Sequence, residues 1–101
     1  MIDLKKVQKE IWDNKIAKGF NTADVNFEFN LIHGELAEAF EAYLKKKDNL
    51  GEEVADVIIY VLSLASMLNI DIEEEILKKI EKNKKREYKK INGVVTRTKE
   101  A

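Results

Sequence analysis

With 101 residues and a net charge of −1, this chain favours a single domain with a modest core. Its 45% hydrophobic and 37% charged residues indicate a folded helical protein rather than a disordered one. The absence of cysteine excludes disulfides and thiolate metal sites and suits a cytoplasmic protein. Residues 78–90 are densely basic, but the balanced charge of the whole chain argues against a nucleic-acid polymer as partner.

Apolar residues at helical spacing predict four helices with no linker between them, at about residues 3–18, 23–47, 49–68 and 71–89. Gly19 is a natural end for the first helix. Asn21 or Thr22 is expected to cap the second helix. Asn49 is expected to cap the third, with Glu52 as its capping-box partner.

The fourth helix has its own start signal, because Asp71 and Glu74 have the spacing of a capping box. After it, residues 92–101 are expected to form a turn and a short extended tail. The predicted architecture is therefore one all-α domain over residues 1–101, an antiparallel bundle of about four helices.

The third predicted helix is apolar around most of its circumference, so it has to be covered on all sides. Three other helices of so short a chain cover it poorly, which predicts a homo-oligomer, either a homodimer or a homotetramer. A membrane span is not expected here, because the fifteen apolar-rich residues 54–68 contain Asp56 and fall short of the roughly 20 that a span needs. The N-terminus also lacks the apolar stretch of a signal peptide.

Two pairs of acidic residues interrupt otherwise apolar helical segments: Glu35 with Glu38, and Glu53 with Asp56. Each pair is spaced i, i+3, so its carboxylates lie on one side of a helix, and antiparallel pairing of the second and third helices brings both pairs level. Four carboxylates beside a core repel one another, and a divalent cation removes that cost. Oxygen ligands alone point to Mg²⁺ or Mn²⁺, although ordinary acids at the edge of a core remain the alternative. His33 has no Glu-x-x-His partner, which argues against a di-iron site.

The fourth helix offers groups that suit phosphate. Lys79, Asn83 and Arg86 fall at i, i+4 and i+7, so they form one column of two cations and an amide. A solvated basic face is the alternative reading of the same column.

At the segments Glu35-Leu36-Ala37-Glu38 and Glu53-Val54-Ala55-Asp56, the sequence resembles the MazG-like nucleotide pyrophosphohydrolases, also called all-α NTP pyrophosphatases. That family carries Glu-x-x-Glu on one helix and Glu-x-x-Asp on the next. The similarity continues through residues 56–60, 64–65, 70–71 and 79–83, and it covers about residues 14–97. One departure is Gly34, where many members have a further glutamate; the ligand register on the second helix could therefore be shifted, with Glu41 replacing Glu35.

The resemblance implies hydrolysis of a (d)NTP substrate to (d)NMP and pyrophosphate, with Mg²⁺ on the four carboxylates and water attacking the α-phosphorus. Glu38 and Glu53 are then the catalytic residues, with Glu38 as general base. The implied substrate contacts are Lys79, Asn83, Arg86, Tyr60 and Trp12, although Trp12 also suits core or interface packing. Two readings without catalysis stay open: a helical bundle that binds a partner through its third helix, and a nucleotide or metal sensor. Base preference is not readable from the sequence.

Overall fold

The computed structural model describes residues 1–99 and shows four α-helices followed by a β-hairpin. The elements in chain order are α1 (Leu4–Ala17), α2 (Val25–Leu44), α3 (Leu50–Met67), α4 (Ile72–Lys85), β1 (Glu87–Ile91) and β2 (Val94–Lys99). The prediction of four helices is confirmed. The last two residues of the predicted tail, 100–101, lie outside the described residues.

The turn between α1 and α2 is fixed by Gly19 and Asn21. Gly19 adopts a φ of +69° directly after the C-cap of α1, which confirms it as the end of that helix. The predicted cap of α2 is wrong, because Asp24 rather than Asn21 or Thr22 accepts the hydrogen bond from the backbone N–H of Phe27. Asn21 instead closes the loop, accepting from the backbone N–H of Asp24 through its Oδ1 at 2.9 Å.

α2 and α3 form the most extensive helix pair, and they run antiparallel. Near one end Lys15 of α1 bridges Glu28 of α2 and Ser63 of α3, and near the other end Glu38 of α2 lies beside Glu53 of α3. The core between the helices is built from mostly small side chains: Ala39, Ala42, Leu62, Leu64 and Ala65. Such side chains let the two backbones approach closely, which also brings their polar groups within reach of one another.

The start of α3 differs from the predicted capping box. Asn49 is the N-cap residue, as predicted, but its side chain caps no backbone N–H, and its amide donates instead to Glu53 Oε1 at 3.1 Å. The box with Glu52 is therefore wrong, because the Asn49 amide is drawn to the carboxylate one turn into the helix.

Gln8 of α1 holds the junction between α3 and α4. Its Nε2 donates to Ser66 Oγ at 3.1 Å and to the Ile70 carbonyl at 2.9 Å, and its Oε1 accepts from the Ile72 backbone N–H. The predicted cap of α4 is confirmed, since Asp71 Oδ1 accepts from the backbone N–H of Glu74 at 3.2 Å. α1 thereby fixes the direction in which α4 leaves the helix pair.

The all-α prediction needs one correction, because the chain ends in a two-stranded antiparallel sheet. α4 stops at Lys85, not near residue 89, and Arg86 is already extended. The cause lies in the following sequence: Asn92 and Gly93 both have positive φ, 51° and 79°, as a tight hairpin turn requires. β-branched residues in β1 and β2 then favour strand over helix.

The folded chain is open rather than compact. Its radius of gyration is 17.1 Å, against about 13 Å for a typical domain of 100 residues. It exposes 7823 Å², against roughly 5,900 Å² for a folded monomer of this mass. Large apolar side chains are exposed, including Phe40 of α2 at 60% and Ile58 of α3 at 56%. Among residues 1–99 no single helix is long and apolar enough to span a bilayer; α3 and α4 pass such a test only together, with a 107° bend between them.

Candidate metal centre and adjoining cavity

Three carboxylates from two helices meet where α2 and α3 approach their connecting turn. One oxygen each of Glu35, Glu38 and Glu53 lies within 4.8 Å of the other two. The short turn between the helices and the i, i+3 spacing on α2 together place them there. Asp56, the fourth predicted ligand, is not in this tight group, but its charge acts on Glu35.

The electrostatics of this group fit a divalent cation. Burial raises the pKa of Glu35, and the negative charges of Glu38, Asp56 and Glu53 raise it further. Glu53 Oε1 accepts from Asn49, whereas Glu53 Oε2 is buried with no hydrogen-bond partner among residues 1–99. A buried carboxylate oxygen without a donor is costly, and a cation would supply the missing partner. Because only oxygen atoms converge, the donor set suits Mg²⁺ or Mn²⁺.

Glu41, the substitute ligand that a shifted register would require, lies elsewhere. It is exposed and forms an ion pair with Lys45, which lowers the pKa of the Glu41 carboxyl. His33 is also exposed. The structure therefore brings together Glu35, not Glu41, with Glu38 and Glu53.

Tyr60 of α3 connects the carboxylates to the interior of the helix pair. The pKa of its hydroxyl is raised by burial first and then by the charges of Glu35, Glu28 and Asp56. The predicted substrate-contact residue Tyr60 thus lies directly beside the acidic group.

Three residues that the sequence reading did not single out form a buried polar cluster two helical turns from Glu35. Lys15 Nζ lies 2.7 Å from Glu28 Oε2 and donates to Ser63 Oγ at 2.6 Å. Lys15 is 6% exposed and Glu28 is 0% exposed. One signal was available: Glu28 precedes Glu35 by seven residues, so both lie on the same face of α2. Nothing in the sequence pointed to Lys15 as the partner of Glu28.

A cavity of about 270 Å³ opens beside this cluster, between α1, the loop after it, α2 and α3. Its lining residues are Ile11, Asn14, Lys15, Phe20, Asn21, Phe27, Glu28, Leu31, Ile59, Tyr60 and Ser63. Tyr60 joins the cavity to the carboxylates, because it lines the cavity and lies near enough to Glu35 and Asp56 to feel their charges. Trp12 is not among the lining residues, and its contact with a substrate stays a prediction.

Two of the three predicted phosphate contacts, Lys79 and Asn83, lie on α4, which is oriented by α1. The predicted helical column is wrong at Arg86, because α4 ends at Lys85 and Arg86 is extended. α4 has its main contacts with α1, whereas two of the three clustered carboxylates are on α2. Lys79 and Asn83 are exposed, and Arg86 Nη1 donates to Asn83 Oδ1 at 3.0 Å. Contact of these three residues with substrate phosphates stays a prediction.

A family model described as MazG-like family matches residues 27–100. The matched range contains all four predicted metal ligands, Tyr60, α4 and the hairpin, and it leaves out α1 and the α1–α2 loop. No curated protein and no solved structure matches the chain.

Proposed function

The chain belongs to the MazG-like family, and from that premise we propose that it is a Mg²⁺-dependent pyrophosphohydrolase that converts (d)NTP to (d)NMP and pyrophosphate in the cytoplasm. The observation that carries the proposal is the buried Glu53 Oε2, which lacks a hydrogen-bond partner among residues 1–99 and belongs to a group of three carboxylates. A cluster of negative charge of this kind is stabilised by a cation, and a cation is what a triphosphate substrate also requires.

In this proposal Glu35, Glu38 and Glu53 hold the metal, with Asp56 next to them. A bound divalent cation neutralises phosphate charge and acidifies a water molecule. Asn49 holds one oxygen of Glu53 and so leaves the other for the metal. Glu38 is the exposed member of the group, so it has the access to solvent that a general base for the attacking water needs. Tyr60 lies beside Glu35 and also lines the adjoining cavity.

We also propose that the working form is a homo-oligomer, a dimer or a tetramer. The chain exposes about a third more surface than a folded monomer of its mass, and the exposed apolar residues include Phe40 of α2 and Ile58 of α3. Its charge is divided as well: residues 1–77 carry 16 acidic and 8 basic side chains, and residues 78–99 carry 2 acidic and 10 basic ones. A second copy can therefore place its basic α4 and hairpin near the acidic helix pair of the first, where phosphates would bind.

The assembly has a direct test in sedimentation. We expect the protein to sediment as a dimer or larger at micromolar concentration, and Ile58→Glu to shift it towards monomer, because a charge in an apolar interface is not solvated. Ile2→Glu is the control, since Ile2 is an exposed apolar residue outside the helices. A monomeric wild-type protein would contradict the proposed assembly.

The activity is tested with a panel of NTPs and dNTPs in the presence of Mg²⁺ or Mn²⁺. We expect release of pyrophosphate together with the nucleoside monophosphate, and no release when the metal is chelated. Release of orthophosphate instead would exclude cleavage at the α-phosphorus. If no nucleotide is cleaved, a non-catalytic bundle that binds a partner through its exposed apolar surface becomes the better reading, and nucleotide binding without cleavage would indicate a sensor.

A further inference from the structure

The cavity beside Lys15 is lined by a buried ion pair that packing alone does not explain. Burying an ion pair costs desolvation that the pair's own attraction need not recover, yet Lys15 and Glu28 are almost completely buried and both line an open space. An ion pair that only held α1, α2 and α3 together would not require an open space beside it. The arrangement is instead typical of a binding pocket, which is mostly apolar and has a few fixed polar groups.

The lining of the cavity is mostly apolar, and its buried polar part, here called the floor, is formed by Lys15, Glu28 and Ser63. Phe20, Phe27, Leu31 and Ile59 contribute the apolar lining. On the floor, Glu28 Oε1 accepts from Asn21 Nδ2 at 3.2 Å, and Glu28 Oε2 forms an ion pair with Lys15 Nζ at 2.7 Å. The Lys15 ammonium has three N–H groups; one donates to Ser63, and the ion pair with Glu28 takes no more than a second. One N–H of Lys15 therefore remains for a ligand, and this N–H requires a hydrogen-bond acceptor on that ligand.

The size and position of the cavity limit what can occupy it. At about 270 Å³ it is slightly smaller than the roughly 300–1,000 Å³ of pockets that hold whole drug-sized ligands, so it suits one flat ring system. Glu28 on its floor and Glu35 in the acidic group are seven residues apart on one face of α2, a rise of about 10 Å. A ligand with a ring in the cavity can therefore extend past Tyr60 towards the carboxylates.

We propose that this cavity binds the base of the nucleotide, and that Lys15 selects bases that present a carbonyl oxygen at the floor, such as hypoxanthine, guanine or uracil, over their amino counterparts. A lysine ammonium can donate to a base carbonyl but has no acceptor for an exocyclic amine. The phosphate end of the ligand rests on the proposed function, whereas binding of the base does not require hydrolysis. Because the family match begins at residue 27, Lys15 and Phe20 belong to the part of the site outside that match.

Two matched pairs of nucleosides, titrated by NMR against the wild-type protein in metal-free buffer, test this proposal. Inosine and adenosine differ in the carbonyl or amine on the six-membered ring and in the proton on the neighbouring ring nitrogen, and uridine and cytidine differ in the same two ways. We expect the carbonyl member of each pair to bind about 10-fold more tightly, because a hydrogen bond from a charged donor is lost with the amine. Equal affinities within both pairs would overturn the role of Lys15, and the absence of shifts at millimolar nucleoside would overturn the cavity as a base site.

Variants that fill the cavity separate it from the metal centre. Leu31→Phe from the α2 wall and Ile59→Phe from the α3 wall should each abolish nucleoside binding and leave Mn²⁺ binding intact, whereas Leu44→Phe, on an exposed part of α2 outside the cavity, should change neither. Nucleoside binding that survives both filling variants would overturn the proposal. The two proposals can fail separately. Discrimination among nucleosides without pyrophosphate release would contradict the hydrolase alone, and pyrophosphate release without nucleoside binding would contradict the base site alone.

Discussion

Glu53→Gln should reduce pyrophosphate release by more than about 100-fold and at the same time raise the melting temperature in metal-free buffer. Activity falls because the amide cannot replace a carboxylate as metal ligand. Stability rises because one of the repelling charges in the group is removed while the shape of the side chain is kept. The opposite signs of the two effects set a metal ligand apart from a residue that merely supports the fold.

The melting temperatures in this comparison depend on the pH at which they are measured. The folded state holds the pKa of Glu35 above its ordinary value, so the folded state binds more protons than the unfolded one in that range, and stability falls as pH rises through the raised pKa. Melts of all variants should therefore be recorded at one and the same pH. Mn²⁺ should raise the melting temperature of the wild type and have little effect on Glu53→Gln, since a ligand that binds the folded state stabilises it.

Glu52→Gln is the matched control, because Glu52 is the preceding glutamate in the first turn of α3 and is exposed. It should leave the rate, the melting temperature and the Mn²⁺ response unchanged. If Glu53→Gln kept most of the rate, or kept the Mn²⁺-dependent rise in melting temperature, the assignment of Glu53 as a ligand would be wrong.

The sequence was sufficient for those parts of the site that local geometry determines. The i, i+3 spacing of Glu35 and Glu38 put both on one side of α2, and the short turn before α3 left an antiparallel pairing as the economical arrangement. Those two facts bring Glu53 to the pair without any knowledge of distant contacts. The same holds for Gly19 and Asp71, whose roles depend on residues only a few positions away.

Features that depend on contacts distant in sequence were not predictable in the same way. Lys15 meets Ser63 across 48 positions, and no periodic pattern in the sequence indicates that contact. The turn at residues 92–93 and the extended segment after it were predicted correctly, whereas β1 was missed for a different reason. Lysine-rich sequence continues smoothly from α4 into β1, so helix propensity alone gave no boundary, and the boundary is determined by the Asn92-Gly93 turn downstream.

Together these contacts form one polar seam along the α2–α3 pair, and its two ends differ in charge balance. At the Ser63 end the carboxylate of Glu28 has a cation, Lys15, within 2.7 Å. At the Glu53 end three carboxylates approach one another and raise the pKa of Glu35 instead. The first end is compensated by the chain itself, and the second, in the proposed function, is compensated by a bound cation. Stability should therefore respond to substitutions with opposite signs at the two ends.

Lys15→Met should accordingly be the most destabilising of the substitutions considered, lowering the free energy of unfolding by about 3–5 kcal/mol. Methionine keeps the apolar stem but leaves Glu28 fully buried with no cation beside it. For a protein of this size a loss of that magnitude lowers the melting temperature by more than roughly 10 °C. The double variant Lys15→Met/Glu28→Gln should recover most of the loss, because the buried charge is gone and the amide oxygen of glutamine still accepts from Asn21.

Lys9→Met supplies the comparison on the same helix. Lys9 of α1 also pairs with an acid, Asp13, but both side chains are exposed, so the pair is screened by water and its loss should change the melting temperature little. Thermal melts of the four proteins and the wild type, with Glu28→Gln completing the cycle, give the coupling between Lys15 and Glu28 directly. A Lys15→Met protein as stable as Lys9→Met, or a double variant no more stable than Lys15→Met alone, would show that the charge of Glu28 is not what Lys15 compensates.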